Sequence, residues 1–176
     1  MGKKALIYGL IAGVIVSTIM VISMFNCSKE MEGGTGMMMM GFASMFVAFS
    51  MIFVGVRSYR NNEGGGYITF GKAFTLGIII AFIASTMYVV TWMIDFHFFI
   101  PDFADRYAAA MLAKAEAARL DAAKMAAKVK EMDDFKIMYK NPVMVVAMTY
   151  AEILPLGLVV ALVCALIYKK KGQVSA

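Results

Sequence analysis

Glu152 is the one acidic or basic residue that falls well inside an apolar stretch of this chain. A carboxylate in hydrocarbon costs roughly 2.5 kcal/mol or more, so such a side chain faces other helices, pairs, or keeps its proton. Pro155 follows three residues later. Proline has no N–H to donate and its ring crowds the carbonyl four residues back, here that of Ala151. The sequence therefore predicts a free carbonyl beside a carboxyl group. Neighbouring helices or water must satisfy both. The chemistry on offer is proton or ion binding. The plainer reading, which is preferred, is a protonated Glu152 hydrogen-bonded within a bundle.

Depth follows from helical rise. Glu152 lies 17 residues before Lys169, or roughly 25 Å above that end of its helix. Counting the same height from Lys72 arrives near Tyr88. Tyr88, Thr91 and Ser85 are thus the candidate hydrogen-bond partners, and Glu152, Pro155, Tyr88 and Thr91 form a candidate intramembrane polar site. Asp95 and His97 fall slightly higher, beside Trp92. A carboxylate–histidine pair there would relay protons. An ordinary polar boundary with an aromatic belt explains the same residues more simply.

Other chemistries lack the residues they need. Gly66-x4-Gly71-Lys72 resembles a phosphate-binding loop, but Ala73 stands where Ser or Thr would hold magnesium, and no buried strand precedes it. No nucleotide is expected. The Met37–Met40 run, Met31, Cys27 and His97 contain soft ligands that suit copper(I). Adjacent methionines point around a helix, however, and read better as flexible apolar filler. A single histidine excludes a His-rich metal site. No metal, cofactor or catalytic constellation is assigned. The formal charge of +5 forms no basic stripe interleaved with exposed aromatics, so no nucleic acid is expected.

The elements that must position these groups are membrane spans. Of the 176 residues, 61% are hydrophobic and 16% charged, against about 25% charged in soluble domains. Four apolar runs, 5–25, 37–56, 73–94 and 143–168, approach or exceed the roughly 20 residues needed to cross a bilayer. Residues 1–176 read as one membrane domain. Lys3, Lys4, Arg57, Arg60, Lys72 and Lys169–Lys171 lie on one side, opposed by Glu63. By the positive-inside rule both termini are cytoplasmic, and the expected location is the inner membrane of a cell. Cys27 and Cys164 then sit at opposite membrane faces, too far apart to bridge.

Small residues predict which spans touch. Gly9 and Gly13 offer a close-approach face on span one, and Gly77, Ala81 and Ser85 another on span three. Span four answers with Gly157, Ala161 and Ala165, so spans three and four should pack through these stripes. Spans one and three also match at an offset of 68, as in Gly9 with Gly77 and Ser17 with Ser85. A parallel two-hairpin repeat would give that pattern.

Between spans three and four, about 101–140, lies an external segment with eight basic and eight acidic residues from 95 to 141. Phe103, Tyr107, Met111, Ala115, Ala118, Ala122, Met125, Val129 and Met132 recur every three or four residues, which marks an amphipathic helix. One straight helix over 102–134 would run roughly 50 Å and leave the chain far from span four. Two helices are therefore predicted, turning near Arg119–Asp121, with Asp121 capping the second. The default for the stripe is packing of one half against the other.

The segments GFASMFVAFSMIFVGVRSYRN (41–61), GGYITFGKAFTLG (65–77), ASTMYVVTW (84–92), FIPDFADRYA (99–108) and YKNPVMVVAMTYAEILPLGL (139–158) resemble the bacterial four-span membrane proteins of the domain of unknown function 4199 family. The resemblance covers nearly the whole chain. It implies a membrane location and no activity, substrate or cofactor. Similar sequences often separate the external helices by a Gly-containing turn, where this chain has Ala-Arg-Leu-Asp.

The expected fold is an all-α membrane bundle of four spans, with an extracytoplasmic helical hairpin between spans three and four. Three function classes follow. The favoured one is a non-catalytic, multi-pass membrane component that engages a partner through the external helices. The second is a small proton- or ion-coupled transporter centred on Glu152, for which four spans would require a homodimer. The third is an intramembrane enzyme using Glu152, Asp95 and His97. The partners expected are the lipid bilayer and either a second copy or a membrane or periplasmic protein.

Overall fold

The computed structural model describes residues 1–27 and 34–170, with side chains throughout except at 24–27, 34–38 and 40. The loop after the first helix, Met31, the Cys27 thiol and Lys171 lie outside the described residues. Six α-helices account for nearly all of the rest. They are α1 (Gly2–Cys27), α2 (Gly34–Asn62), α3 (Phe70–Ile94), α4 (Phe103–Ala117), α5 (Ala122–Tyr139) and α6 (Pro142–Tyr168). A π-helical turn, Asp95–Phe99, extends α3. Four of the helices are long and apolar enough to cross a membrane: Gly2–Ser23, Gly41–Asn62, Phe70–Phe99 and Pro142–Tyr168. By length and composition this is a multi-pass membrane protein.

α3 is the central helix, packed against α1, α2 and α6. The small residues seat it. A Cβ on Gly9 would lie 2.7 Å from Ile83 Cβ, and one on Gly13 would strike Met87. Across the other face, a Cβ on Gly77 would come within 2.8 Å of Ala161 Cβ, and one on Gly157 within 2.8 Å of Ala81 Cβ. Spans three and four thus meet through the stripes that the spacing predicts. Gly9 and Gly77, equivalent at the offset of 68, both mark close contacts, though with different neighbours.

The ends that carry the basic residues are tied together. Gly65 and Gly66 adopt φ of +57° and +86°, a conformation glycine takes at little cost. They turn the chain from α2 towards α3, whose first turn is capped by the Thr69 hydroxyl, accepting from the Lys72 N–H at 3.4 Å. Gly66, Gly71 and Lys72 therefore belong to a helix-to-helix turn. Ile68 pairs antiparallel with Lys170, through backbone bonds of 3.2 and 2.9 Å. Arg60 lies over the Tyr168 ring, and the Met1 ammonium meets Glu63 at 3.2 Å.

Between α3 and α6 the chain forms a two-helix hairpin. α4 ends in a Schellman motif: Leu120 N–H donates to the Ala115 carbonyl at 3.3 Å and Arg119 N–H to that of Glu116 at 2.9 Å. Arg119 takes φ of +52°, in the position usually given to glycine. The Asp121 carboxylate caps α5, accepting from the Lys124 N–H at 2.9 Å. The break falls in the stretch that the sequence marks for it. Ala108, Ala115 and Met132 are buried, Tyr107 packs on Phe135 with centroids 5.0 Å apart, and Lys136 reaches Asp105 at 3.1 Å. Most of the amphipathic stripe is consumed inside the hairpin, while Val129, Ala118 and Ala122 stay exposed. Arg119→Gly should raise stability by about 1 kcal/mol, because it removes a Cβ from the left-handed region. Chemical denaturation of the two proteins, compared at the same lipid content, measures the difference.

Candidate functional site

α6 begins at Asn141, whose side chain accepts from the Val143 N–H at 3.0 Å, with Pro142 in the first turn. It then runs unbroken through Pro155 to Tyr168. Residues Val145, Thr149, Ile153, Gly157, Ala161 and Cys164 face the bundle. Glu152 and Pro155 do not. Both are exposed, as is Ala151. The expectation that other helices enclose Glu152 is corrected here. Rise along the axis fixes the height of a side chain, but its azimuth depends on which face of the helix packs. Glu152 makes no hydrogen bond or ion pair with a described residue.

Two phenols stand within electrostatic range of that carboxyl group. Tyr88 on α3 is one, half-buried against the core. Tyr139, at the end of α5, is the other. Tyr88 and Tyr139 both pack against the cluster of Met20, Trp92 and Val145. Thr91 is engaged elsewhere: its hydroxyl lies 2.9 Å from the Met87 carbonyl oxygen and 3.0 Å from Ser17 Oγ, so it ties α3 to α1. Ser85 is buried, and its hydroxyl has no partner among the described residues.

The polar link that does join α3 to α6 near this level is a different pair. Tyr150 donates to Thr86 Oγ1 at 2.8 Å, and the Thr86 hydroxyl donates to the Phe82 carbonyl at 2.8 Å. The Tyr150 ring stacks on Phe82. Sequence reasoning passed over this pair. The depth count alone would not pair them, since Tyr150 lies two residues above Glu152 and Thr86 two below Tyr88, about 6 Å apart along the axis.

Asp95 and His97 are not brought together. Asp95 is buried in the π-helical turn, with Oδ2 unpartnered among the described residues. His97 is exposed, its ring edge-on to Phe98 at 4.8 Å. No ion pair or hydrogen bond between them appears among the described residues. Side chains two positions apart on a helical turn point to different sides. Among the described residues no group of three His, Cys, Asp or Glu is placed to hold a metal.

Above Tyr88 sits an aromatic collar that sequence reasoning did not assemble. Trp92 meets Phe103 edge-on at 4.8 Å. Tyr139 packs on Phe96 at 5.3 Å, on Phe103 at 5.6 Å and on Phe135 at 4.5 Å. The collar fixes the base of the hairpin to the end of α3 and to α6, where Val145 packs with Trp92 and Met20. Burial pushes the Tyr139 phenol up to about 12. Stability from the neutral phenol is therefore present below the usual value of 10.0 and is lost as pH rises through about 12. A phenolate absorbance titration should show a late-titrating tyrosine that disappears in Tyr139→Phe.

The site thus holds three protonatable oxygens, on Tyr88, Tyr139 and Glu152, with the carboxyl group turned outward from the bundle. It lacks a nucleophile–base pair. Neither a curated protein nor a solved structure matches the chain. Residues 7–170 match the family described as "Protein of unknown function (DUF4199)", and the chain belongs to that family.

Proposed function

We propose that the protein is a non-catalytic, multi-pass component of a cell membrane that presents its helical hairpin to a protein partner on the extracytoplasmic side. The observation that carries this reading is the hairpin itself. It closes its own apolar interface and is held to the bundle by the aromatic collar and the α5–α6 junction. Such an arm is rigid without help from a partner and keeps its charged outer surface free. The excess of basic over acidic residues lies at the opposite ends of the spans, while the segment from 95 to 141 carries eight of each, which supports cytoplasmic termini and an external hairpin. An enzyme using Glu152, Asp95 and His97 is disfavoured, because His97 faces out and Asp95 is buried. A transport pathway through one protomer is disfavoured too, since Glu152 lies on the outside of its bundle.

A photo-cross-linking amino acid placed in turn at exposed hairpin positions, including Ala113 and Ala126, tests the reading in native membranes. A partner should be captured from a contiguous set of positions on one face, and capture should survive Glu152→Gln. Absent capture, or equal capture from every face, would sink the proposal.

A further inference from the structure

We propose that a second copy of this chain covers the exposed face of α6, so that Glu152 hydrogen-bonds with its counterpart across a two-fold axis normal to the membrane.

The face is unlike the other outward surfaces of the bundle. Leu6, Leu10 and Val14 of α1, Phe42 and Phe46 of α2, and Phe82 and Val90 of α3 suit acyl chains. On α6, Ala147, Ala151, Pro155, Leu158 and Leu162 are exposed at intervals of three and four residues, which places them on one side of the helix. Glu152 stands at the edge of that line, also exposed. Among the described residues it is the one ionisable side chain exposed in the middle of a span. Pro155 adds a second polar group, because the Ala151 carbonyl loses the N–H that a helix would supply there. An acid and a free carbonyl therefore lie together on a surface otherwise built for hydrocarbon, and acyl chains can satisfy neither.

A second copy matches this surface by symmetry. Two copies inserted in the same direction are related by an axis along the membrane normal, and a two-fold interface brings each patch against itself. Glu152 then meets Glu152 of the partner subunit at its own depth. A protonated carboxyl is both donor and acceptor, so one acid can satisfy its twin or the released carbonyl. Ala147 and Ala151 let the helices approach closely. A different membrane protein would have to supply a donor at this depth, whereas a second copy already holds one. The proposal depends on the four-span reading and is independent of what the hairpin binds.

The test is energy transfer between donor- and acceptor-labelled full-length protein, labelled at the N-terminus, in phosphatidylethanolamine–phosphatidylglycerol vesicles over a series of lipid dilutions. Transfer should persist on dilution for the unmodified chain. Glu152→Leu should shift the dissociation midpoint by about tenfold towards denser protein, while Glu152→Gln, which keeps a donor and an acceptor, should stay within about threefold. Ala151→Trp, a change at an exposed position, should abolish transfer, and Leu10→Trp on the exposed face of α1 should leave it unchanged. Absence of transfer at every density would overturn the proposal. So would transfer indifferent to both Glu152→Leu and Ala151→Trp, which would place any contact between copies on another face.

Discussion

Gly157→Leu should separate α6 from α3 and cost about 3 kcal/mol of stability, the upper end of what overpacking a well-filled core does. The reason lies in what surrounds the missing side chain. A Cβ at 157 would stand 2.8 Å from Ala81 Cβ and 2.9 Å from the Phe49 ring, closer than real side chains approach. Ala81 is fully buried and so is Phe49, so neither has room to retreat. The reciprocal position offers no relief, because Gly77 already takes Ala161 Cβ at 2.8 Å and its Cα at 3.2 Å. Only movement of a whole helix can admit the leucine. Without a hydrophobic drive between helices in lipid, that contact is what holds them. Gly157→Ala should show a smaller loss in the same direction. Gly71→Ala is the control, since nothing lies within 4 Å of a Cβ there. Denaturant titration in mixed micelles reads all three, and an unchanged midpoint for Gly157→Leu would refute the packing argument.

Trp92→Ala should cost a comparable amount, about 3–5 kcal/mol as for other buried aromatic truncations, but the damage should be local. Trp92 is 7% exposed and packs against Met20 and Val145. It presents an edge to Phe103 and lies in the cluster against which Tyr139 packs. Removing it releases both legs of the hairpin at once, one from α4 and one from α5. The expected result is faster trypsin cleavage after Arg119 and faster amide exchange in α4 and α5, with the contacts of α1, α3 and α6 below the collar retained. Trp92→Phe should keep most of the protection, because the edge-on contact survives and only the indole N–H is lost. Equal exchange in the hairpin of Trp92→Ala and the unmodified chain would show that the collar does not hold it.

These two sites also mark how far the sequence could be read. The four spans were legible because twenty apolar residues in a row admit few other structures, and the meeting of α3 with α6 because Gly77, Ala81, Gly157 and Ala161 are small at helical spacing. The hairpin break was legible from length alone, since a single helix could not return the chain. Its exact form was not. Arg119 adopts the left-handed conformation at a C-terminal cap without being glycine, and no local signal marks that. Glu152 was legible in height and misread in direction. The small-residue stripe of the same helix held the answer, since five residues separate Glu152 from Gly157 and place the carboxyl group away from the face that meets α3. The collar was hidden for another reason: Trp92, Phe103 and Tyr139 come from three helices, and aromatic residues at a membrane boundary are ordinary until their neighbours are known. The separation of Asp95 from His97 follows from their spacing, since side chains two positions apart on a helical turn point to different sides.

The backbone pair between Ile68 and Lys170 bears on how the molecule can yield under load. It pins the foot of α6 to the loop that joins α2 and α3, while the collar and the short α5–α6 junction grip its head. A helix clamped at both ends resists bending wherever its hydrogen-bond ladder is complete. At Pro155 one rung is missing, one turn from Glu152 and on the same outward face. A pull on the hairpin would therefore be taken up first at that rung, and the segment from 142 to 154 would act as a lever with its fulcrum beside Glu152. Force applied outside the bilayer would arrive, inside it, at the one level where the span carries a charge-capable group.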